Sequence, residues 1–208
     1  MIPFDTALPF FAASVVLALA PGPDNVFVLL HSAAHGRRAG LVVVLGLCSG
    51  LLFHTAAVAL GLAAVFAASA TAFLVLKLVG AAYLVWLAWQ SWRAPVGAES
   101  ASATPALSAG TAYRRGVLMN VTNPKVAIFF MAFLPQFANP AQGSMVGQIM
   151  QLGALFMLAA LITFSAIAFF AATVGQKLLR SPRAQHWLNR TASVVFIGLA
   201  MRLAMTPK

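Results

Sequence analysis

Acidic side chains are nearly missing from this chain: Asp5, Asp24 and Glu99 stand against 13 lysines and arginines in 208 residues. Charged residues of both signs make up 8%, while 62% of the chain is hydrophobic. A composition so poor in charge excludes a soluble domain and points to an integral membrane protein. The formal charge of +10 does not mark a nucleic-acid binder, because the basic residues lie singly or in pairs between apolar stretches and form no continuous stripe. The single cysteine, Cys48, lies within an apolar stretch. It allows no internal disulfide and no CxxC, which argues against a thiol-redox carrier. There is no HExxH and no second acid inside an apolar stretch to pair with Asp24, so membrane hydrolysis is not expected and the chain is not read as an enzyme. His31, His35 and His186 lie near loop ends and read as interfacial; with no carboxylates or thiols beside them they imply no metal and no cofactor.

Apolar sequence is what the chain has in abundance. Six apolar spans run over about 7–30, 40–66, 71–92, 115–138, 147–175 and 189–206. The expected fold class is therefore all-α, with six transmembrane helices. Between the third and fourth spans lies a stretch rich in Ala, Ser, Pro and Gly, the composition of a flexible linker. It divides the chain into a first three-helix repeat at 1–92, a cytoplasmic linker at 93–114 and a second three-helix repeat at 115–208. Arg37, Arg38, Arg93, Arg114, Arg115, Lys177, Arg180 and Arg183 gather after the odd spans, and the connections after spans two and four carry no Lys or Arg. By the positive-inside rule both termini lie outside. Three spans per half then orient the halves oppositely, as an inverted repeat requires. Ala18-Leu19-Ala20 resembles a signal-cleavage site, but no basic residue precedes it, so the first span is expected to remain.

The first span is interrupted by Ala20-Pro21-Gly22-Pro23-Asp24-Asn25. Pro21 and Pro23 have no N–H to give the carbonyls of Leu17 and Leu19, and Gly22 is pushed towards an extended conformation by the proline after it. Hydrocarbon does not tolerate freed carbonyls unless protein, water or a ligand satisfies them. Asp24 follows at once, and an acid at membrane depth usually marks function. Its structural role would be to cap the half-helix after Pro23. Its functional role would be to hold an ammonium or carry a coupling proton.

The fourth span repeats the device in Asn120-Val121-Thr122-Asn123-Pro124-Lys125. Pro124 frees the carbonyl of Asn120. Setting Pro23 against Pro124 puts Asp24 on Lys125, charge against opposite charge. Lys125 is ten residues beyond Arg115, roughly 15 Å into a core of about 30 Å, too deep to snorkel. The two ionisable groups are a candidate pair, either structural or opened by a zwitterion; the sequence leaves open whether they touch. Interrupted helices at matching positions of two halves point to a secondary transporter's binding site. Asn25, Asn120 and Asn123 flank the breaks, to satisfy freed backbone groups or to bond substrate; Asn120 and Asn123 would share a helix face. His54 is either a proton relay or a hydrogen bond between helices. Gly46 and Gly50 form a GxxxG face, with Gly61, Gly80 and Gly198 as further points of close helix approach. Such faces serve within a chain or between chains, so a homo-oligomer is compatible with the sequence. Trp86, Trp89 and Trp92 read as an interfacial belt against the lipid bilayer.

Taken in order, Pro21-Gly22-Pro23, Gly36-Arg37-Arg38-Ala39-Gly40, Gly46 with Gly50, and the stretch from Lys77 through Gly80-Ala81-Ala82-Tyr83-Leu84 resemble the first half of the LysE/RhtB amino-acid exporters. Gly116 through Asn120-Val121-Thr122-Asn123-Pro124-Lys125, followed by Leu134-Pro135-Gln136-Phe137, is similar to the second half. The likeness implies export of amino acids or close derivatives, such as homoserine or its lactone, from the bacterial cytoplasm across the inner membrane by proton antiport. A single intramembrane pair of opposite charges suits a neutral amino acid. The alternative, a small-ion or metal-cation transporter, would want more Asp, Glu, His or Cys in its spans.

Overall fold

The computed structural model describes residues 2–20, 22–68, 70–94, 106–173 and 181–205. Every regular element among them is helical, with no strand. In chain order these are α1 (Phe4–Leu19), α2 (Pro23–Ala68), α3 (Ala70–Arg93), α4 (Ala109–Val121), α5 (Pro124–Ile128), α6 (Met145–Thr173) and α7 (Pro182–Met205). Between α5 and α6 lie a π-helical turn, Phe129–Phe133, and 3-10 turns at Leu134–Phe137 and Pro140–Gln142. Among the described residues three helical stretches contain a run long and apolar enough to cross a membrane: Pro23–Gly61, Met145–Ala171 and Gln185–Met205. A fourth is Ala109–Val121 with Pro124–Phe137, bent by 48° at its break.

Local chemistry explains the ends. Ala20 leaves the helix with ψ 130°, as expected of a residue before proline, and α1 closes on its N–H to the Val16 carbonyl. Pro23 opens α2 at the first position, where its missing N–H is not needed. Within α2, Gly36 has φ 83° and ψ 168°, a conformation that only glycine adopts readily. A Cβ on Gly40 would collide with the Ser32 side chain. In a straight helix those positions would stand about 12 Å apart along the axis, so the chain reverses at Gly36 into two antiparallel limbs, 23–35 and 37–68.

The second limb crosses α4 at backbone contact. A Cβ on Gly46 would strike the Tyr113 carbonyl oxygen, and one on Gly116 would strike that of Val43. Tyr113 Oη donates to Ser49 Oγ at 2.9 Å across the same crossing. One turn on, a Cβ on Gly50 would run into the Asn120 amide. Gly80 meets Ala132 in the same way, but among the described residues nothing lies within 4 Å of where a Cβ on Gly61 or Gly198 would stand, so neither makes a close helix approach within the described part of this chain. Substituting Gly46 with valine is expected to destabilise the fold by ~1–3 kcal/mol, because backbone cannot step aside as a side chain does; the midpoint of thermal unfolding in detergent measures it. Trp86, Trp89 and Trp92 are about half exposed. The Arg93 guanidinium lies over Trp89 at 4.0 Å and that of Arg190 over Trp92 at 3.4 Å, anchoring arginines to that end of α3.

Candidate functional site

The two breaks meet. The carbonyls freed at the end of α1 are taken up by side chains from elsewhere: Lys125 Nζ donates to Leu17 O at 3.3 Å and to Ala20 O at 3.0 Å. Asn25 Nδ2 donates to Ala18 O at 2.6 Å. The ammonium therefore caps the C-terminal end of α1, where the helix dipole is negative. Gly22 leaves room for it, since a Cβ there would stand 3.1 Å from Nζ. Pro21 lies outside the described residues.

The second break is arranged similarly. Pro124 is the first residue of α5, and the Asn123 side chain caps it, Oδ1 accepting from Lys125 N at 3.0 Å. The Asn120 carbonyl accepts from Asn123 N at 3.0 Å and from His54 Nε2 at 3.1 Å. Asn120 Nδ2 donates to Asp24 Oδ2 at 3.4 Å. Asn120 lies in the last turn of α4 while Asn123 caps α5, so the expectation that they share one helix face is corrected: the break separates them.

Asp24 and Lys125 occupy one small cavity with Asn120. The ammonium is spent on backbone carbonyls rather than on the carboxylate, so the two charges attract across the cavity without direct contact. Leu51, Phe156 and Phe164 form its apolar wall, and the space holds about one water molecule. Several buried polar atoms around it are left without a well-formed hydrogen bond: Asp24 Oδ1, Asn25 Oδ1, Asn120 Oδ1 and Asn123 Nδ2, the Asn123 amide standing near the Asp24 carboxylate.

Two features escape sequence reasoning. One is the aromatic floor under the site, where Phe129 and Phe130 pack on Phe156 at 5.4 and 4.9 Å; phenylalanines in an apolar run look the same whether they face lipid or a core. The other is His31. Its side chain is only 1% exposed, on the limb 23–35 beside Arg115 of α4, a burial that its place near a loop does not suggest.

Residues 15–206 match the family model described as LysE type translocator. The chain belongs to the LysE-type translocators. These are membrane transporters, not enzymes. Over 197 residues the chain is 34% identical to an uncharacterized membrane protein of Vibrio cholerae, covering 95% of each chain. It is 30% identical over 201 residues to the homoserine/homoserine lactone efflux protein of Salmonella typhimurium, covering 97% of each. It is 27% identical over 199 residues to the leucine efflux protein of an Enterobacter species, covering 94% of this translocator and 93% of that one. No solved structure matches it.

Proposed function

We propose that this translocator exports neutral amino acids or close derivatives, such as homoserine or its lactone, from the bacterial cytoplasm by proton antiport across the inner membrane. The observation that carries this reading is the set of unpartnered atoms at the paired breaks. A buried polar atom without a hydrogen bond costs about 1–3 kcal/mol, and such atoms are retained where a ligand completes them. Three acceptors, on Asp24, Asn25 and Asn120, match the three N–H bonds of an ammonium. Asn123 Nδ2 is the donor left for a carboxylate or lactone oxygen. Lys125 adds positive charge on that side, and Asp24 carries the coupling proton when the ammonium is away. His54 holds the second break in shape through the Asn120 carbonyl.

The same reading takes the fold as six spans in two inverted three-helix repeats, 1–92 and 115–208, joined by a cytoplasmic linker at 93–114, with both termini outside. In support, Pro23 and Pro124 each open a half-helix, and Asp24 and Lys125 stand at the second position of each. The cavity is too small for an amino acid as it stands, so one repeat must rock against the other to admit substrate. Cells overproducing the protein, challenged with toxic concentrations of many amino acids and lactones, are expected to tolerate a subset of the neutral ones. A flat response across the panel would remove the proposed substrate class.

A further inference from the structure

His31 is 1% exposed, and neither Nδ1 nor Nε2 has a hydrogen-bond partner. A buried imidazole in a structural role has its tautomer fixed by a bond from one ring nitrogen. His54 is of that kind: its Nε2 donates to the Asn120 carbonyl. His31 has no such anchor. Either of its nitrogens is free to take up or release a proton.

Its position gives this freedom a use. Asp24 and His31 are seven residues apart on the straight limb 23–35, hence on one face and about 10 Å apart along the axis. His35 follows one turn later, half-buried, with its ring 4.9 Å from that of His31. Beyond it come Gly36, Arg37 and Arg38. We propose that His31, with His35 beyond it, relays the coupling proton between Asp24 and the membrane face where Arg37 and Arg38 lie. This rests on the antiport reading above.

The groups facing His31 fit a relay. On its own limb the facing group is His35, with Asp24 two turns away on the same face; from α4, Arg115 acts on it, with its guanidinium 4.6 Å above the Phe27 ring that stacks on His31 at 5.4 Å. From α6, whose Ala168 meets Gly40 of the second limb where that glycine faces Ser32, there is no titratable side chain between Met145 and Thr173. With two basic neighbours and no acid acting on it among the described residues, a proton arriving on His31 meets no counter-ion to hold it there. The step balances. The Asp24 carboxyl gives its proton through water to one ring nitrogen, and the other nitrogen releases its own to His35 or water. The carboxylate is left ionised, the imidazole neutral in the opposite tautomer, and one proton has moved towards the arginines.

Two assays on the same proteoliposomes test this: efflux of a labelled neutral amino acid driven by an imposed pH gradient, and exchange of that amino acid without a gradient. Exchange cycles the loaded carrier with no net proton passage, so it also reports folding. For His31→Gln and His31→Asn, driven efflux is expected to fall at least about tenfold, with exchange kept within roughly twofold of wild type. Driven efflux at the wild-type rate in His31→Gln would remove the relay alone. Loss of exchange in step with driven efflux in both variants would reassign His31 to structure or substrate binding. If wild-type efflux itself ignores the gradient, the antiport reading falls and the relay with it.

Discussion

Lys125→Met is expected to abolish substrate efflux and to lower folding stability by about 2–4 kcal/mol. The side chain is buried, and its ammonium serves the Leu17 carbonyl, which Pro21 deprives of its helical partner, and the Ala20 carbonyl, which the end of α1 leaves free. Methionine fills similar space and donates nothing, so two carbonyls are left bare in a site screened from water. Relief from burying a charge offsets part of that loss. The transport defect follows from the same geometry: without the ammonium, the end of α1 presents only negative dipole to an arriving carboxylate. Thermal unfolding in detergent and efflux from proteoliposomes measure the two effects. A variant that keeps wild-type stability would show that the freed carbonyls find other donors.

Asp24→Asn is expected to behave differently. The amide is nearly isosteric, so the cavity keeps its shape. Two electrostatic changes oppose each other, since the attraction to Lys125 is lost while a buried carboxylate no longer needs desolvation. Stability should therefore stay within about 1 kcal/mol of wild type. Transport should not survive, because asparagine carries no proton and offers an ammonium no opposite charge. Loss of function without loss of fold at Asp24, against loss of both at Lys125, separates a group that acts on substrate from one that also holds the backbone together.

Much of this arrangement is legible in the chain. Prolines inside an apolar run announce interrupted helices, and an acid or lysine at that depth announces itself by its cost. The close crossing of α2 and α4 is foreshadowed by Gly46 and Gly50, because only small residues let backbones touch. Other features are not. Nothing in the spacing tells that Lys125 reaches the carbonyls of Leu17 and Ala20 instead of the carboxylate, since that depends on where α5 starts relative to the end of α1. The burial of His31 cannot be read until the reversal at Gly36 is known, and a glycine in a basic loop does not declare its φ. Gly198 resembles Gly80 in sequence context, but only Gly80 has a neighbour pressed against it.

The most direct test compares wild type with Asp24→Asn in proteoliposomes loaded with a labelled neutral amino acid and given an inward proton gradient. The expected result is gradient-dependent efflux from wild type and none above background from the variant, both proteins being folded. Equal gradient-driven efflux from the two would contradict the assignment of the coupling proton to the carboxylate at the first break.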